Sequence, residues 1–374
     1  MNLIIDGNAF INVAVSIVKN ILKNDRRVGE QYYVSDLLDD EHFMLKQISK
    51  DTFSRFTVNY MGSIFAPFKD KISSVFFVFD SKSWRHKYVS DHFDKHGDGD
   101  FEYKGQRKHD EKMYLFFEYF QNEILSTLSE EYGIVVNRVR DAEGDDLIAY
   151  ICENLHEDIC IWTVDKDLTQ LVENSDRKIM VIMPKQTTKY KKIYTAEGFD
   201  TKPTEPTAPK PLDLLNFSFD SVDNSTVTNI VNDLVQKDYK HFEVDPTNDI
   251  LTKLLSGDVS DHIPRCHPKM TPMKVEKIVE TIRTEFYHEN ILELIDTGHS
   301  GIINRLSELT NETLKIKDPD EQKTILHNIE RNKTIIRLHT SMFPKEILAA
   351  IRKSVDISIR RPFSYNKFKK NYKH

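Results

Sequence analysis

The chain has 374 residues, 39% of them hydrophobic, which suffices for two domains or for one large domain with an appendage. Three cysteines, Cys152, Cys160 and Cys266, lack CxxC spacing and read as reduced thiols, which excludes a disulfide framework. A formal net charge of −7 excludes a uniformly basic protein, but the placement of charge matters more than its sum.

The amino terminus, "MNLIIDGNAF", has no basic leader and no cleavage site, and no later run approaches 18 apolar residues, so neither secretion nor membrane insertion is expected and the cytoplasm is the expected location. Four short apolar runs, "NLIID", "SSVFFVFD", "GIVVNRV" and "DICIWTVD", suit buried strands alternating with helices, the pattern of a mainly parallel sheet. Three of them end in aspartate, Asp6, Asp80 and Asp165, at the carboxyl ends where open α/β sheets place ligands. Between Arg85 and Lys112 a polar stretch reads as an exposed excursion of helical pieces. The run "TKPTEPTAPKP", 201–211, reads as an extended connector, after which the pattern turns mainly helical. From Arg352 to His374 there are eight Lys or Arg against one acid, with Phe363, Tyr365, Phe368 and Tyr372 interleaved; such a tail can hold phosphates and stack on bases, or be a solvated terminus.

The stretch "DAEGDDLIAYI" crowds Glu143, Asp145 and Asp146 at the start of a helix. Acids there answer the helix dipole and free N–H groups, but three in such close order repel one another and call for protons or a cation. With Asp6, Asp80, Asp165, Asp167, Asp258 and Asp261 they make nine carboxylates in five clusters, four of them at strand ends or the start of the following helix. An all-oxygen set selects Mg²⁺ or Mn²⁺ rather than zinc, and nine acids exceed the needs of one ion. Two ions about 4 Å apart suit phosphodiester cleavage.

These stretches resemble the 5′-nuclease superfamily, and within it the phage ribonuclease H branch that removes RNA primers and flaps. The resemblance runs through "IIDGNAF", "FVFDSKSWRHKY", "YKGQRK", "AEGDDLIAYI", "WTVDKDLTQL" and "LLSGDVSDHIP", over residues 3 to 264. It implies a catalytic domain at 1–200 with a helical arch at 85–112, and a DNA-binding helical region at 212–374 with a basic tail at 352–374. It implies two Mg²⁺, replaceable by Mn²⁺: Asp6, Asp80, Glu143 and Asp145 at one site, Asp165, Asp167, Asp258 and Asp261 at the other, and Asp146 at either. Lys104 matches an arch lysine that reaches the scissile phosphate, with Arg107 and Arg85 as electrophilic helpers or phosphate clamps. Tyr103 is a candidate base-stacking residue; Lys269, Lys274 and Lys277 are candidate duplex contacts, and Arg360, Arg361, Lys367, Lys369 and Lys370 candidate tail contacts. Relatives carry a glycine-rich hairpin that binds potassium; here "RCHPKMTPMKVEKI" has no glycine, so K⁺ is doubtful.

The implied enzyme is a monomeric Mg²⁺-dependent 5′-3′ exonuclease and flap endonuclease with ribonuclease H-like activity, serving DNA replication or repair. Its partners would be nicked or 5′-flapped duplex DNA, RNA–DNA hybrid, and a single-strand-binding protein or sliding clamp, in the host cytoplasm if the chain is viral. The competing readings are a PIN-type ribonuclease, whose relatives lack the arch lysine motif and the Asp258/Asp261 pair, and a non-catalytic DNA-structure-binding replication factor, which should have lost acids. His92 and His96, spaced i and i+4, would make a zinc pair only with further ligands, and none converges there in the sequence.

Overall fold

The computed structural model describes residues 1–24, 47–93, 103–105, 111–184, 191–197, 234, 239–298, 300–355 and 362–371. The chain begins with β1 (Asn2–Asp6), α1 (Gly7–Asn24) and α2 (Gln47–Phe65), followed by β2 (Ser74–Phe79) and α3 (Trp84–Phe93). Helix α4 (Glu111–Tyr119) passes through a π-helical turn, Phe120–Leu125, into α5 (Ser126–Tyr132). Then come β3 (Val135–Arg138), α6 (Gly144–Asn154), β4 (Ile159–Trp162), a 3₁₀ turn (Lys166–Leu171), β5 (Glu173–Asn174), β6 (Lys178–Met183), β7 (Lys191–Ala196) and β8 (Tyr239–Val244).

The strands form one sheet in the order β3-β2-β1-β4-β6-β7-β8, with β5 beside β6. Pairing is parallel except at β5–β6 and β6–β7. Alternation sorts the side chains by face: Leu3, Ile5 and Phe77 pack with Phe10, Phe53 and Phe120 on one side, whereas Ile4, Phe76 and Val78 pack with Leu147, Ile148 and Ile151 of α6 on the other. A central parallel sheet covered on both faces, followed by helices, is the fold class the sequence indicates. One strand departs from that reading. β8 lies beyond 201–211 yet pairs with β7 through Tyr194↔Phe242 and Ile193↔His241, so chain after that connector completes the sheet. Residues 201–211 themselves lie outside the described residues.

The remaining helices are α7 (Pro246–Ser256), α8 (Pro272–Glu285), α9 (Ile291–Asp296), α10 (Ser300–Leu314), α11 (Pro319–Ile336), α12 (Lys345–Ser354) and α13 (Tyr365–Asn371). Helices α7, α8, α10 and α11 bury Leu251, Leu254, Ile278, Ile282, Leu306, Ile325 and Ile329 in a core of their own, which Val89 and Tyr103 join. α12 returns to the α6 face with Ile347 and Ile351. No described helix is long and apolar enough to cross a membrane.

The basic tail differs from both readings the sequence left open. Phe363, Tyr365 and Phe368 are buried with Phe65 of α2, Phe368 meeting Tyr132 at 5.3 Å between ring centroids. Phe363 N–H donates to the Ser73 carbonyl, just before β2, and Lys367 donates to the Glu131 carbonyl. The tail therefore straps the amino ends of the strands, opposite the edge that bears Asp6 and Asp80. Its rings are core and not stacking platforms, and Lys367, Lys369 and Lys370 sit away from the acids. Arg360, Arg361 and Tyr372 lie outside the described residues.

Candidate active site

Parallel pairing of β1 with β2 and β4 brings Asp6, Asp80 and Asp165 to one edge, and α6 starts beside them with Glu143, Asp145 and Asp146. Asp6 accepts the Ala9 N–H at 3.0 Å and the Thr163 hydroxyl at 2.8 Å. Burial, with Asp80 and Asp165 close by, still pushes its carboxyl up to about 7. Asp80 is raised by burial and by Glu143, although Gly144 N–H donates to it at 2.6 Å. Asp145 is raised well above the usual range by burial and by Asp165, Asp80 and Asp6, and Asp165 by burial and by Asp167. These four carboxylates repel one another.

The other acids already have cations. Burial would raise Glu143, but Arg85 and Lys104 overcome it and hold the carboxyl at about 2. Lys104 Nζ lies 2.5 Å from Glu143 and 3.8 Å from Asp261, while its backbone N–H donates to the Asp261 carbonyl. Lys253, one turn before the second acid loop, bridges Asp167 and Asp258 at 2.6 Å each. Asp258 also accepts both the N–H and the hydroxyl of Ser260, and Lys253 with Ser260 holds it below its ordinary value against the effect of burial. The space left between Tyr103, Lys104, Glu143, Asp145, Asp167 and Asp258 is about 20 Å³, room for about one water.

The donor set fits a hard divalent cation: it is all oxygen, and among the described residues four of its carboxylates have no balancing ion pair. Among the described residues no three acidic, imidazole or thiol side chains yet converge on a common point. Lys104 and Lys253 hold Glu143, Asp167 and Asp258 at their ammonium groups.

Three expected site residues take different places. Asp146 is fully buried, accepts Trp84 Nε1–H and the Glu143 N–H on one oxygen, and meets Arg85 at 2.8 Å with the other. With both oxygens taken it caps α6 and holds Arg85. Arg85 is 1% exposed and spends its guanidinium on Glu143, Asp146 and the Ile335 carbonyl, which removes it from the role of phosphate clamp. Tyr103 is 3% exposed and donates its hydroxyl to Glu143 at 3.1 Å, so it orients that acid and offers no face to a base. Arg107 and His96 lie outside the described residues.

Helices α7 and α8 are joined by a loop, 257–271, that carries Asp258 and Asp261. Gly257 has φ +67°, and a Cβ there would sit 2.2 Å from the Ile263 carbonyl oxygen, so the turn requires glycine. Arg265 donates to the Met270 carbonyl; Arg331 and Asn332 reach the Pro264 carbonyl and Asn328 that of Cys266. Guanidinium and amide groups thus satisfy this glycine-poor loop. Beside it opens a cavity of about 860 Å³, lined by Asn248, Thr252, Val259, Arg265, Thr271 and Arg283 among others. Lys269 and Lys277 are exposed, and Lys274 bonds the Lys269 carbonyl.

Asn8, Thr163 and Lys253 escape sequence reading. Asn8 sits in a "DGN" that suits a turn, Thr163 follows the apolar strand β4, and Lys253 looks like a surface residue of an amphipathic helix.

Residues 41–203 match the profile of the family described as 5′-3′ exonuclease, N-terminal resolvase-like domain. No curated protein matches the chain. Among solved structures, the 5′-exonuclease of bacteriophage T5 with bound zinc is 15% identical with a TM-score of 0.45, covering 99% of this chain and 97% of its own. The bacteriophage T5 flap endonuclease, in a pseudo-enzyme–product complex with DNA and metal ions, is 16% identical with a TM-score of 0.47, covering 94% and 97%. Neither likeness is close enough to carry an argument about this chain.

Proposed function

We propose that the chain is a member of the 5′-nuclease superfamily, a reading that the match of residues 41–203 supports, and that it is a structure-specific 5′-3′ exonuclease and flap endonuclease that removes RNA primers and flaps during DNA replication or repair. The observation that carries this reading is the gathering of Asp6, Asp80 and Asp165 at neighbouring strand ends with Asp145 at the start of α6, where burial and neighbouring carboxylates raise their affinity for protons. Charge so placed is relieved by divalent cations, which when bound supply an activated water and screen the leaving oxygen.

The chain's own residues do the rest. Asp6 and Asp80 are fixed by hydrogen bonds from Ala9, Thr163, Gly144 and Asn8, so their carboxylates are preorganised. Lys104 is poised within the cluster, where its ammonium can leave Glu143 for a scissile phosphate and meet the negative charge that grows there. The water oxygen then bonds to phosphorus and gives up a proton to solvent, the bond from phosphorus to the leaving oxygen breaks, and that oxygen takes up a proton from solvent. Duplex phosphates would lie along the cavity beside α7 and α8, where Arg265 and Arg283 line the wall.

The test is incubation with 5′-labelled flap, nicked and RNA-primed duplexes, with Mg²⁺ or with EDTA. Mg²⁺-dependent release of short 5′ products is expected. Cleavage that persists in EDTA, or binding without cleavage in any divalent cation, would sink this reading, the second outcome in favour of a DNA-structure-binding factor.

A further inference from the structure

We propose that Asn8 is the positioning residue that aims the Asp80 carboxylate into the cation site, an inference that rests on reading this edge as a divalent-cation nuclease centre. Asn8 grips Asp80 at two points. Its Nδ2 donates to Asp80 Oδ2 at 2.7 Å, and its Oδ1 accepts the Asp80 backbone N–H at 3.2 Å. One planar amide thus spans the main chain and the side chain of the same aspartate, which locks the side-chain torsion between them. A donor and an acceptor in fixed relation are needed, and an amide supplies both.

Gly144 completes the grip from the opposite side. Its N–H, at the start of α6, donates to Asp80 Oδ1 at 2.6 Å, and a Cβ on Gly144 would lie 2.9 Å from that oxygen. A carboxylate offers about four lone-pair directions. Asn8 and Gly144 take one on each oxygen, so each oxygen keeps one for a cation. Partners one step behind a metal ligand set its direction, and their loss typically costs about 10- to 100-fold in metal affinity.

The experiment is calorimetric titration of the DNA-free full chain with Mn²⁺, comparing wild type, Asp80→Asn, Asn8→Ala, Asn8→Asp and Gly144→Ala, with melting temperatures in EDTA. Asn8→Ala should bind Mn²⁺ about 10- to 100-fold more weakly. Asn8→Asp should lose more, because an isosteric oxygen then faces Asp80 Oδ2 where a donor stood. Gly144→Ala should weaken binding from the other side, and melting in EDTA should stay close to wild type for both Asn8 variants. Wild-type affinity in both Asn8 variants, with Asp80→Asn defective, overturns the positioning role and leaves the nuclease reading standing. A large fall in melting temperature that accompanies the weaker binding makes Asn8 a folding residue and also overturns it. If wild type takes up no Mn²⁺, the cation site itself is wrong and both readings fall.

Discussion

Asp6→Asn should make the metal-free protein more stable at alkaline pH while removing its cation site. The Asp6 carboxyl moves from 3.8 to about 7 on folding, driven first by burial and then by Asp80. Between those values the native state keeps a proton that the unfolded chain has released, so stability falls as pH rises through this window and stays low above about 7. At 1.36 kcal/mol per tenfold change the full cost is about 4 kcal/mol, reduced to roughly 3 by relaxation and by water reaching a partly exposed group. The amide keeps the Ala9 hydrogen bond and forces the Thr163 hydroxyl to turn, a loss of about 1 kcal/mol. The net gain is about 2 kcal/mol at pH 8 and close to nothing at pH 5. Urea unfolding in EDTA at both values reads it directly. A variant less stable than wild type at pH 8 would refute the argument that uncompensated carboxylate repulsion is stored here. Mg²⁺ should stabilise wild type at pH 8 and leave the variant nearly unmoved.

Lys104→Ala should lower the single-turnover cleavage rate by on the order of 10²- to 10³-fold with little change in duplex affinity; cleavage at the wild-type rate would remove the ammonium from the chemistry. Arg85→Ala should cost about 3 to 5 kcal/mol in denaturant unfolding, because Asp146 would lose its ion pair while fully buried and Glu143 would keep Lys104 alone. Wild-type stability together with a slower reaction would return Arg85 to a direct catalytic role. Phe368→Ala should destabilise by about 3 to 5 kcal/mol and leave the salt dependence of DNA binding unchanged; a flatter slope would mean that the tail does touch phosphates.

The acids were legible in the sequence because they are local. A strand of Ile, Val and Phe ends where a charged residue can no longer be buried, so Asp6, Asp80 and Asp165 mark the carboxyl ends of β1, β2 and β4 without reference to the rest of the chain. Glu143 and Asp146 announce the start of α6 by the same short-range logic, since Asp146 reaches back to the free Glu143 N–H at the helix's amino end. Even here the sequence could not tell which acids face the cation. Asp145 turns to the cluster and Asp146 turns inward, a difference set by Trp84 and Arg85, some sixty residues away. The remaining assignments depend on tertiary contacts of the same kind. Arg85 reads as a clamp until the Ile335 carbonyl, 250 residues on, closes over it. Lys253 reads as solvated until folding sets it between Asp167 and Asp258. The tail reads as a basic arm until Phe65 and Tyr132 bury its rings. Residue type and spacing determine which groups can carry charge, cap a helix or fill a core. Only packing decides which oppositely charged group arrives first, because desolvation makes each buried charge take a partner and the fold determines which partners are within reach.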